Sequence, residues 1–81
     1  MSDDMSNLQR PIQPMPDAIR TALEDAGLLD EYLERPPYQR NDYLSWITRA
    51  KRQETSDRRL AQMLDELRRG DVYMNMEWRP R

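Results

Sequence analysis

Three stretches of this chain carry apolar residues at i, i+3, i+4 and i+7. They are Ile19, Ala22, Leu23 and Ala26; Tyr43, Trp46, Ile47 and Ala50; and Leu60, Met63, Leu64 and Leu67. At 3.6 residues per turn, that spacing puts each set on one side of a helix. Helices that are apolar on one side and joined by short connections must bury those sides against one another. The expected class is therefore all-α: a small bundle of three main helices plus one short helix, with disordered or extended termini. Eighty-one residues leave room for one domain with a modest core. Only 37% of residues are hydrophobic and 35% are charged, so part of the chain is expected to lie outside the packed region.

Prolines and glycines punctuate the pattern. Residues 1–15 hold Pro11 and Pro14 among polar groups and read as a disordered arm. The first helix opens at Pro16 or Asp17, because proline is pre-set for the first helical position, and Gly27 closes it in a left-handed cap. Residues 28–34 form the short helix, stopped by Arg35, Pro36 and Pro37. The third helix runs from Pro37 or Tyr38 to about Lys51, with Tyr43 and Trp46 expected to dominate the core. The fourth starts with Thr55 as its N-cap and ends at Gly70. The helical domain thus spans residues 16–70. In the tail, residues 71–81, Val72, Met74, Met76 and Trp78 alternate with Tyr73, Asn75 and Glu77, which predicts an extended or flexible segment.

The chain has no Cys and no His. That removes disulfides, thiolate chemistry, the usual zinc sites and the Ser-His and Cys-His nucleophile pairs. With only Gly27 and Gly70 it has no glycine-rich phosphate loop. Asp65 and Glu66 are adjacent, so on a helix they point in different directions. No enzymatic activity and no cofactor are expected. No apolar run approaches the roughly 20 residues that span a bilayer, and the acidic start at Asp3 and Asp4 does not read as a secretory signal. The expected location is the cytoplasm.

Charge is unevenly spread. Residues 1–34 hold eight acids and two bases, whereas residues 35–81 hold eleven bases and seven acids. Much of the positive charge falls where the third helix hands over to the fourth, at Arg49, Lys51, Arg52, Arg58 and Arg59. Together with Thr55 and the free amides of a helix start, these residues suit a phosphate, a carboxylate or an acidic loop of a partner. They also suit a purely architectural role, with arginine stems covering the aromatic core. The expected function is a non-enzymatic binding domain whose basic corner meets another protein. The alternative is an accessory nucleic-acid binder using the same residues. Against it stand a pI near 5.1 and the expected outward placement of Gln62, Asp65 and Glu66 on the fourth helix.

The same run carries a resemblance. Tyr43, Trp46, Ile47, Ala50, Lys51, Glu54, Thr55, Arg58, Arg59 and Leu60, followed by Leu64, Leu67 and Gly70, are similar to the helical module of the YdeI/OmpD-associated, or bacteriocin-protection, family. The position after Thr55, usually Arg there, is Ser56 here. The resemblance covers about residues 16–70. It implies an all-α fold in a bacterial cytoplasm and a stress- or envelope-related role, and it assigns no catalytic residue.

Overall fold

Two prolines set two of the helix starts in the computed structural model, which describes residues 14–79. The Pro16 carbonyl accepts the amides of Ile19 and Arg20 and opens α1, Asp17–Ala26. The helix ends at Gly27, φ 71°, where the Leu28 amide reaches the Leu23 carbonyl at 2.9 Å and the Gly27 amide that of Glu24 at 3.1 Å. This paired closure sends buried Leu28 inward. The short α2, Leu29–Glu34, stops before Pro36, and α3, Pro37–Thr48, starts on Pro37 with the Pro36 carbonyl accepting its first amides. Of the arm expected over residues 1–15, all but Pro14 and Met15 lies outside the described residues. Met15 packs against the core.

Two boundaries differ from the sequence reading. α3 ends at Thr48 rather than Lys51. The Thr48 hydroxyl donates back to the Leu44 carbonyl at 2.7 Å, and the Ala50 amide closes a tighter turn onto Ile47 at 3.3 Å. Both interactions divert the backbone from continued helix. α4, Gln53–Arg69, starts two residues before Thr55. Arg52, in extended conformation, takes the N-cap place, and its carbonyl accepts the Ser56 amide at 3.0 Å. No side chain caps this start; Gln53 and Glu54 are exposed, so water can serve their amides.

The core joins all four helices through Ile19, Leu23, Leu28, Tyr32, Tyr43, Leu44, Ile47, Met63 and Leu67. Trp46, expected to share its centre with Tyr43, is half-buried at the margin, as are Leu60 and Leu64. The inner stripe of α3 runs instead through Gln39, Tyr43, Leu44 and Ile47. Among the described residues no helix is long and apolar enough to cross a membrane.

The tail is extended but not single. β1, Val72–Tyr73, pairs antiparallel with β2, Met76–Glu77, through a two-residue turn at Met74 and Asn75. Both turn residues have positive φ, 51° and 64°, the geometry of a type I′ turn. The hairpin packs against α4.

Candidate functional site

Six residues formed the basic corner, and the fold divides them. Arg59 is half-buried; its Nη1 donates to the Trp46 carbonyl at 2.6 Å, and its guanidinium carbon lies 5.3 Å from the centre of the Trp46 ring. Arg59 therefore ties α4 to the last turn of α3. Arg49, the residue after α3, donates through Nε and Nη2 to the Ser45 hydroxyl at 3.0 and 2.7 Å. Thr55 lies half-buried inside the first turn of α4 and caps nothing. Lys51, Arg52 and Arg58 are exposed, and among the described residues none of them forms an ion pair. In particular Glu54 and Arg58, although four apart, do not pair. The acid at Asp57 instead accepts from Gln53 at 2.8 Å. What remains open to a ligand is thus Lys51, Arg52 and Arg58, with exposed Arg49 near them, by the uncapped positive end of a 17-residue helix.

A second polar cluster lies inside the molecule. Glu66, expected on the outer side of α4, is only 2% exposed. Its Oε1 accepts the Tyr43 hydroxyl at 2.5 Å and the Met74 amide at 2.8 Å. Its Oε2 accepts the Asn75 amide at 2.9 Å and Gln62 Nε2 at 3.0 Å. Four donors replace the water that a buried carboxylate loses, which is why the charge is tolerated. Beside it Arg35, 4% exposed, donates to Gln39 Oε1 and to the Glu66 carbonyl, each at 3.0 Å. The Trp78 ring covers the Arg35 guanidinium at 4.5 Å. Tyr73 donates to Asp42 at 2.7 Å and meets Tyr38 and Tyr43 edge-on.

The electrostatics follow from these contacts. Burial pushes the Glu66 carboxyl up, but the hydrogen bonds from Tyr43, Asn75, Met74 and Gln62 outweigh it, and the net displacement is downward. Burial, followed by the bond to Glu66 and its charge, pushes the Tyr43 phenol strongly up. Tyr32 is raised by burial, opposed by the Arg40 charge. The Glu66–Tyr43 pair is therefore carboxylate and neutral phenol across the ordinary pH range. Among the described residues no group of three or more acids could hold a metal ion.

The sequence reading placed Glu66 on the wrong side of its helix and gave no role to Gln39 or to the Arg35 side chain. Two of them sit where the apolar stripes predict an inward position. Gln39 lies four residues before Tyr43, and Glu66 three after Met63 and next to Leu67. Counting stripe positions regardless of polarity would have found both. Arg35 had no such signal, because it lies between helices.

A family model described as bacteriocin-protection, YdeI or OmpD-associated matches residues 14–70. No curated protein and no solved structure matches the chain.

Proposed function

The chain belongs to the bacteriocin-protection, YdeI- or OmpD-associated family, and from that premise we propose that it acts as a small non-enzymatic binding domain whose basic α3–α4 corner holds an anionic group of another protein. The setting we propose is the cytoplasm. The observation that carries the reading is the state of Lys51, Arg52 and Arg58. They are exposed and without an acid partner among the described residues, at the one end of α4 whose amides no side chain caps. Cations left unneutralised beside a helix start favour a carboxylate or phosphate ligand. Arg59 serves the joint rather than the ligand, since it is engaged with Trp46 of α3, whereas exposed Arg49 donates to Ser45 one turn back on the helix it follows.

The test is a backbone amide titration by NMR with sulfate, then an acidic peptide, then a DNA duplex. The expected outcome is shifts confined to residues 49–59, weakened as salt rises. Replacing Lys51, Arg52 and Arg58 together by Glu is expected to abolish the shifts while leaving the melting temperature nearly unchanged. A silent corner in a well-dispersed spectrum would overturn the proposal. A salt slope near −0.9 per phosphate contact with the duplex, steeper than with peptide, would transfer the site to nucleic acid.

A further inference from the structure

The family match ends at residue 70, and the hairpin lies beyond it. Yet Glu66, inside the matched segment, commits half of its carboxylate bonds to that hairpin, through the Met74 and Asn75 amides. Two successive N–H groups from residues of positive φ form a concave nest that suits an anion. The anion here is no free ion; it is a carboxylate held in place by Tyr43 and Gln62. The helical body thus presents a preformed acceptor, and the hairpin brings the matching donors.

The hairpin is also anchored by side-chain contacts: Trp78 over Arg35, Tyr73 to Asp42 and to the rings of Tyr38 and Tyr43, and Met74 and Tyr73 against the core. Among the described residues the sheet has two strands only, so no backbone ladder joins the hairpin to another strand. Gly70, at φ 81°, is the link between α4 and the hairpin. The residue is half-buried, and a Cβ placed on it would meet nothing within 4 Å.

We propose that Tyr43, Gln62 and Glu66 form a receptor for a tight backbone turn, filled here by the chain's own Met74–Asn75 turn and open, when that turn lifts away, to a type I′ hairpin on a partner protein. An aromatic residue on each arm completes the ligand, as Tyr73 and Trp78 do in the intramolecular case. The receptor is independent of the basic corner, which lies at the opposite end of α4. A tethered ligand acts at an effective concentration in the millimolar range, so a partner competes only as far as the tethered hairpin is weakened.

The hairpin itself supplies the probe. Its ends lie together, the Trp78 amide donating to the Asp71 carbonyl at 3.0 Å, so a head-to-tail cyclic peptide of residues 71–79 can keep its shape without a large ordering cost. Labelled with a fluorophore, it is titrated into the full chain and into Trp78→Ala, which loosens the tethered hairpin without touching the receptor. Binding to Trp78→Ala is expected to be at least about tenfold tighter than to the unaltered chain. Adding Glu66→Gln is expected to abolish it, since an amide NH2 group would then confront a backbone N–H. Equal affinity for both chains, no binding to either, or binding that survives Glu66→Gln overturns the proposal. Hydrogen exchange on the unaltered chain decides the matter independently of any variant's folding. The Met74 and Asn75 amides should exchange at least about tenfold faster than those of Tyr43 and Leu67. A single common rate would mean that the hairpin opens only when the whole fold does, and the receptor would have no free state to offer.

Discussion

Glu66 carries its charge at a depth where an unsolvated carboxylate would be very costly, and the Tyr43 hydroxyl at 2.5 Å is its closest compensation. Tyr43→Phe deletes that donor without leaving a large cavity. The expected loss is about 1.5–3 kcal/mol, the range for a hydrogen bond to a charged group, read from urea denaturation. The pair also fixes a pH window. A carboxyl whose folded pKa lies below its ordinary 4.5 contributes stability that is fully present above that value and is lost as pH falls towards the folded one. A phenol raised above its ordinary 10.0 contributes stability that is present below that value and is lost as pH rises beyond it. Stability measured against pH is therefore expected to be level in this contribution between those limits and to fall on both sides. Glu66→Gln should flatten the acid limb. At the corner, Arg59→Ala is expected to cost about 1–2 kcal/mol, for a bond to a carbonyl and a stacked ring. Arg58→Ala, exposed and unpaired, should stay within about 0.5 kcal/mol. The same two arginines look identical in the sequence. Trp46, thirteen residues back along the chain, tells them apart through its carbonyl and its ring.

At the scale of elements, four helices were legible because apolar periodicity and proline–glycine punctuation agree on where they lie. Their ends were less so. Thr48 and Thr55 are both able to cap or to bond backwards, and the outcome depends on the path between α3 and α4 rather than on either residue. The hairpin was half legible. Alternation marked residues 72–78 as extended, but the turn lacks the Asn-Gly or Asp-Gly pair that announces a type I′ turn. Met74 accepts positive φ because its amide, with that of Asn75, is held by Glu66, a tertiary cause invisible in a local window. Gly27 offers a clean test of the cap. A Cβ there would meet nothing within 4 Å, so Gly27→Ala should cost only the left-handed backbone term, about 1 kcal/mol, seen as a lowered melting temperature.

For the molecule as a whole, the uneven charge of the sequence suggests two halves that attract each other. Among the described residues the ion pairs are local: Arg20 with Glu24, Asp65 with Arg69 and Glu77 with Arg79, all exposed. None joins the acidic half to the basic one. Raising salt from about 0.1 to about 1 M shortens the screening length from about 10 to about 3 Å, and the melting temperature is expected to move little, because such pairs contribute little. Cohesion between the halves rests instead on apolar burial, joined by the Tyr32 hydroxyl, which donates to the Arg40 carbonyl at 3.4 Å.

Each tryptophan of this chain lies against a guanidinium: Trp46 against Arg59 where α3 meets α4, and Trp78 against Arg35 beneath the hairpin. Indole emission responds to a charge held over the ring and to the arrival of water, so the protein carries two built-in optical reporters at separate places. Replacing one tryptophan by phenylalanine leaves the other to speak alone. Stopped-flow traces from the two single-tryptophan chains can then be laid side by side, and any interval between them is the lifetime of a state in which one end has let go while the other still holds.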